Sequence, residues 1–230
     1  SMWSVVFWSL FELFNFHLQN WRYTGLPLES PIRWGGYFLA FATVVPAILE
    51  TSDLLDTAFQ RPVSVEPLMQ PGRWACFSVG ALCLMLPLFW PTLFYPLVWG
   101  APIFLLDPVN ELMGGQSLLS DWRSGTLRRL VLLMTAGFLC GFLWEFWNMF
   151  SGAHWTYRVP GLDGWKIFEM PVLGYLGFLP FAVSVFTTSV TVTKLWEKSN
   201  AWIRVTLGLA GLALCLALFA GVDRFTFFAQ

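Results

Sequence analysis

Charged side chains are scarce in this chain. Asp, Glu, Lys and Arg supply 12% of its 230 residues, against roughly 25% in a soluble domain. Histidine is scarcer still, with His17 and His154 the two copies. The four cysteines, Cys76, Cys83, Cys140 and Cys215, lie in apolar runs and form no Cys-x-x-Cys pair. They read as reduced core thiols rather than zinc or redox ligands. There is no basic run, and the net charge is −1, so no nucleic-acid partner is expected. Neither a phosphate-cradling glycine loop nor a Ser-His-Asp or Cys-His pattern is recognisable. Asp53-x-x-Asp56 resembles part of a diphosphate–magnesium clamp, but no second acidic cluster supports it. No metal and no cofactor are called for.

What the chain has in abundance is apolar surface. It is 57% hydrophobic, with 14 Trp and 23 Phe, and its mean hydropathy is +0.62. A membrane-spanning helix takes about 20 mostly apolar residues. Seven stretches qualify as candidates: 3–19, 35–50, 74–90, 92–106, 127–150, 168–188 and 201–222. The fourth carries Pro91, Pro96 and Pro102, which predict a kink or break. The composition therefore predicts an all-α integral membrane protein of multi-pass type, suited to a prokaryotic inner or cell membrane. Its expected partners are membrane lipids and an apolar isoprenoid or lipid ligand, and assembly as a homo-oligomer is compatible with it. Eight basic residues flank one side of these spans and five the other, which predicts an N-terminus inside.

Two segments repeat. Residues 11–27 read FELFNFHLQNWRYTGLP, and residues 144–160 read WEFWNMFSGAHWTYRVP. Each carries Glu-x-x-Asn, then Trp-x-Tyr, then Pro, in register with one single-residue gap. Glu12 aligns with Glu145, Asn15 with Asn148, Trp21 with Trp155 and Tyr23 with Tyr157. Farther on, Gly36-Tyr37 aligns with Gly174-Tyr175. The pattern predicts two parallel three-helix repeats, 1–90 and 127–230, joined by a connecting helix and loop over 91–126.

Residues three apart share a helix face, so Glu12 projects with Asn15 and Glu145 with Asn148. Polar groups avoid lipid, so both faces are expected to point inward, toward one site built from two halves. A carboxyl in apolar surroundings resists charging and can serve as a proton donor. Trp21, Tyr23, Trp144, Trp147, Trp155 and Tyr157 stand nearby in sequence, and aromatic faces attract cations. Acid plus aromatic wall is the equipment for protonating an alkene. Glu145 is the first candidate acid, with Glu12 its symmetry partner. Asn15 and Asn148 would orient them, and Glu169 would assist or end the reaction. Other readings stay open. The Glu–Asn pairs can glue helices together, and Trp-x-Tyr-Pro can anchor an interface. The same cavity can carry a lipid, quinone or pigment unchanged, or relay protons in a transporter.

The stretch WEFWNMFSGAHWTY followed by IFEMPVLGYLGF resembles the lycopene cyclase domain of small polytopic carotenoid cyclases. That family pairs Trp with Asp or Asn at a helix end and opens the next helix with Pro-x-Glu-Glu. It also occurs as two three-helix halves. Asn148 maps onto the family's position after Trp, and 168–174 maps onto the Pro-x-Glu-Glu region. Here the acid precedes the proline, in Glu169-Met170-Pro171, and no Glu-Glu pair follows. Trp144-Glu145 is also similar to the Trp-Glu pair of small membrane-bound terpene cyclases. Both resemblances imply metal-free, acid-initiated isoprenoid cyclisation or hydration.

Overall fold

A computed structural model describes residues 2–64, 66, 72–162 and 164–228. Among these, the elements in chain order are α1 Met2–Leu18, β1 Trp21–Thr24, α2 Ser30–Ala58, α3 Arg73–Phe89 and α4 Pro91–Phe94. A 3₁₀ stretch, Tyr95–Trp99, leads into α5 Ala101–Leu112, α6 Leu118–Arg123 and α7 Arg128–Met149. Then come β2 His154–Tyr157, β3 Lys166–Ile167 and β4 Met170–Pro171. A second 3₁₀ stretch, Val172–Gly177, precedes α8 Phe178–Lys198, α9 Ala201–Phe225 and β5 Phe227–Phe228.

Helices occupy all seven expected stretches, but five rather than seven are long and apolar enough to cross a membrane: Ser30–Ala58, Pro91–Leu112, Arg128–Met149, Val172–Lys198 and Ala201–Phe225. Helices α1 and α3 are each 17 residues. At 1.5 Å per residue that is about 26 Å, short of a hydrocarbon core about 30 Å thick. The proline-rich fourth stretch is interrupted, as its prolines demand. Large apolar side chains such as Leu39, Leu93, Phe146 and Leu209 stand exposed on the helices. Such a surface is unsuited to water and suits a multi-pass membrane protein.

The chain forms two compact units. The first is Ser1–Pro46, Gly141–Tyr175 and Asn200–Gln230, and the second is Ala47–Cys140 and Leu176–Ser199. These do not follow the expected boundaries at 90/91 and 126/127. Each expected half contributes to both units, because packing joins segments distant in sequence.

In the second unit, Leu133, Val183 and Phe186 form a buried cluster. Gly137 lets α7 approach α8, where a side chain would collide with the Phe178 carbonyl and Ala182. The connector is a fixed turn. Buried Asp107 accepts from the Ser117 hydroxyl at 2.8 Å and from the backbone N–H groups of Leu118 and Leu119 at 2.8 and 2.9 Å. Nearby, Asn110 donates to the Thr187 carbonyl at 2.8 Å and accepts from the Thr191 hydroxyl at 2.6 Å.

The first unit contains short strands that an all-α expectation left out. β1 is the central strand of a three-stranded sheet ordered β2-β1-β5. It pairs antiparallel with β2 and parallel with β5. Gly25 lies just past β1 with φ +68°, and a side chain there would collide with the Gly152 carbonyl. Glycine is required on both counts. Helices α2 and α9 are tied by an ion pair between buried Arg33 and partly buried Asp223. The Arg33 guanidinium donates to both Asp223 carboxylate oxygens at 2.7 Å. Arg33 also donates to the Pro27 and Leu28 carbonyls, and Trp34 and Tyr37 donate to Asp223. Every lobe of the pair is satisfied, which is the condition under which a buried pair can persist. Asp223→Asn strands the Arg33 charge, and we expect it to destabilise the protein by about 3–5 kcal/mol, read as a lower unfolding midpoint in detergent.

Candidate functional site

The site begins with a backbone problem. Helix α1 ends at Leu18, and the chain turns through Gln19 at φ 55° before entering β1. The backbone groups at this corner need partners, and Asn15 supplies them. Its Oδ1 accepts from the N–H of Asn20 at 2.9 Å and of Trp21 at 3.1 Å, and its Nδ2 donates to the Trp21 carbonyl at 2.9 Å. Asn148 does the same for the second copy. Its Oδ1 accepts from the Trp155 N–H at 2.8 Å, and its Nδ2 donates to the Trp155 carbonyl at 2.8 Å. In each copy one asparagine stitches the last helical turn to the first residues of a strand.

The strand then returns its side chains to the glutamate one turn earlier. Glu12 Oε1 accepts from the Trp21 indole at 3.0 Å, the Tyr23 hydroxyl at 2.5 Å and the Trp8 indole at 2.9 Å. Glu145 Oε1 accepts from the Trp155 indole at 3.2 Å and the Tyr157 hydroxyl at 2.7 Å. The Trp155 indole also donates to the Tyr157 oxygen at 2.8 Å. Both glutamates are 0% exposed. In both, Oε2 is buried and has no hydrogen-bond partner. A buried acceptor left bare is costly when charged. In each copy one carboxyl oxygen gathers all the donors and the other, equally buried, has none.

The two copies meet through the sheet. Trp21 pairs with Tyr157, Arg22 with Thr156 and Tyr23 with Trp155. Side chains alternate faces along a strand, so Trp21, Tyr23, Trp155 and Tyr157 share one face. The register brings equivalent residues into reciprocal pairs, which defines a local two-fold axis between Arg22 and Thr156. Beyond the strands, Tyr37 lies 6.2 Å from Tyr23 between ring centroids, and its counterpart Tyr175 donates to the Ile167 carbonyl at 3.0 Å.

Of the residues singled out from sequence, Glu12, Asn15, Trp21, Tyr23, Glu145, Asn148, Trp155 and Tyr157 come together in these two networks. Glu169 lies half-buried in the turn between β3 and β4. Trp144 is half-buried, and Trp147 is 56% exposed. The indole of Trp8, outside the repeated motif, is a further site member. Its position four residues before Glu12 was the available signal. The Arg33–Asp223 pair was not foreseen, since its members are 190 residues apart. His154 contacts Thr24 across the strands at 3.1 Å. Among the described residues, no group of three His, Cys, Asp or Glu is placed to hold a metal ion.

No family model, no curated protein and no solved structure matches this chain.

Asn15→Leu leaves two buried backbone N–H groups unpartnered, and we expect a cost of about 1–3 kcal/mol for each buried group left unmade, measured by chemical unfolding. Burial, reinforced by the neighbouring glutamate, pushes the Tyr23 and Tyr157 phenols well above their ordinary value of 10.0. The folded state thus keeps protons that the unfolded chain loses. Stability is complete below that value and falls as pH rises past it. An absorbance titration should find these two phenols un-ionised until the protein unfolds.

Proposed function

We propose that this protein is an intramembrane isoprenoid cyclase or hydratase that works by carboxylic-acid protonation of a C=C bond. The observation that carries the reading is the pair of buried glutamates, each with Oε1 saturated by indole and phenol donors and Oε2 bare. A neutral acid held this way has one proton with no competing acceptor, so a weak base such as an alkene can take it. The aromatic groups that fix the acid also offer faces to a developing cation, a stabilisation of about 2 kcal/mol or more when desolvated. Fixed donors of this kind need no reorganisation during reaction.

On this reading the Glu145 Oε2 proton passes to one carbon of the alkene, whose π pair forms the new C–H bond. The adjacent carbon becomes cationic beside Trp155 and Tyr157. A second C=C closes the ring, forming a C–C bond and moving the charge. Glu145, now a carboxylate, or Glu169 removes a neighbouring proton, and that C–H pair becomes the new double bond. The net change is isomerisation. Capture of the cation by water, with loss of a proton, gives hydration instead. Asn148 holds the Trp155 backbone and so aims its indole. Glu12 and Asn15 hold the matching half. Trp21 and Tyr23 complete the wall, with Trp144 and Trp147 at the ligand's approach.

The wider architecture proposed with it is a multi-pass fold in a prokaryotic-type cell membrane, built around the two repeated segments. The reciprocal register of β1 and β2 supports the pairing of the two repeated segments about a local two-fold axis. The likeness of the second copy to lycopene cyclase domains supports the substrate class.

The test is expression in cells that accumulate a coloured linear carotenoid, followed by pigment analysis. Ring-bearing products are expected with the parent sequence. Glu145→Gln should lower conversion by about 10²–10⁴-fold, the usual contribution of a general acid, with protein levels unchanged. Undiminished conversion in that variant removes Glu145 as the acid. Unaltered pigment copurifying with the protein favours a carrier.

A further inference from the structure

The two copies share a motif but not a shell. At Glu12, Oε1 receives three donors, the third being the Trp8 indole. The aligned position four residues before Glu145 is Gly141, which has no side chain to donate. Glu145 Oε1 therefore receives two. Around Glu12, Trp21 and Tyr23 are 6% and 8% exposed. Around Glu145, Trp155 and Tyr157 are only half-buried. The sheet repeats the contrast. β1 is covered on its outer side by β5, whereas β2 is an edge strand. On α7, Phe142, Phe146 and Trp147 are exposed, and α7 is one of the helices apolar enough to lie in a bilayer. Both carboxyls carry the same buried, unpartnered Oε2. The difference is how much protein must move to reach it.

We propose that the duplication has diverged into one working half and one structural half. Glu145 is the carboxylic acid open to apolar ligands arriving sideways from the bilayer, past the β2 edge and the exposed aromatic side of α7. Glu12 is its sealed counterpart, and it holds β1 in the register against which β2 is built. The ligand that fits this route is an elongated, uncharged hydrocarbon, because the exposed α7 residues along it, Phe142, Phe146 and Trp147, are aromatic and apolar. What the acid does to that ligand rests on the function proposed above. Its accessibility does not.

An apolar carbodiimide, dicyclohexylcarbodiimide, separates the two questions. It reacts with neutral carboxylic acids in apolar surroundings. The acid O–H adds across the C=N bond and the acyl group then shifts to nitrogen, so the reagent is retained whole with no leaving group. The full chain in lipid vesicles is treated at neutral pH, digested and read by mass spectrometry. Modification is expected on Glu145 and not on Glu12. Trp8→Gly, which gives the first copy the second copy's shell, should bring modification to Glu12. Gly141→Trp should remove it from Glu145, and Glu145→Gln serves as the control for site assignment. Equal modification of both glutamates, modification of Glu12 alone, or of neither, overturns the assignment. Modification confined to Glu145 without any isoprenoid conversion removes the cyclase reading and leaves this inference standing. Conversion with equal modification does the reverse.

Discussion

A carboxyl group buried in apolar protein needs hydrogen-bond donors, and the first unit is organised around supplying them twice. Each glutamate uses one oxygen to gather indole and phenol donors, while the asparagine one turn later gathers backbone groups from the same strand. The donors sit on a strand that could not lie where it does without the asparagine. The asparagine could not reach the strand unless the helix ended where it does. Helix end, corner and strand therefore form one cooperative device. In a medium of low dielectric its hydrogen bonds are strong when complete and its members costly when any is missing.

The same rule governs the rest of the molecule. Arg33 and Asp223 persist as a pair because both groups are surrounded by further donors and acceptors. Asp107 and Asn110 persist in the second unit because the connector brings them backbone N–H and side-chain hydroxyl groups. Toward the outside the rule is inverted. The exposed faces of the long helices carry leucine, phenylalanine and tryptophan, which lipid accepts without hydrogen bonds. The bare Oε2 atoms of Glu12 and Glu145 depart from the rule, as do Ser9 Oγ, Asn20 Oδ1 and Arg22 Nε in the same unit, but the two carboxyl oxygens alone among these recur at equivalent positions of both copies. That is why the chemistry is sought there: groups that break a local rule are the ones a function has to explain.

The repeated motif was legible because its polar residues stand out against apolar surroundings. The pairing of Glu12 with Asn15 and Glu145 with Asn148 on inward faces followed from helical spacing alone. Helix positions followed from apolar run length. The count of spans came out differently because run length on paper ignores how long the folded helix is, and α1 and α3 stop at 17 residues. The strands were missed because four-residue segments carry too little alternation to read as sheet. The Trp-x-Tyr spacing, two residues on one face of a strand, was nonetheless their signature. Trp147 looked like a wall residue beside Asn148, but neighbours on a helix point about 100° apart, and it faces outward.

The amino-acid order by itself determined that this is a mostly helical, membrane-type chain with a repeated Glu-x-x-Asn and Trp-x-Tyr motif, because hydrophobic run length and residue spacing are local properties. Only tertiary structure decided that the motif's two parts close on each other within each copy, and that the copies pair across a local two-fold axis. It alone decided that the Trp8 indole adds a third donor to Glu12, where the aligned Gly141 has no side chain to offer Glu145. Those outcomes depend on which distant segments share a hydrogen bond, and a strand register links residues more than 130 positions apart through backbone groups that every residue carries alike.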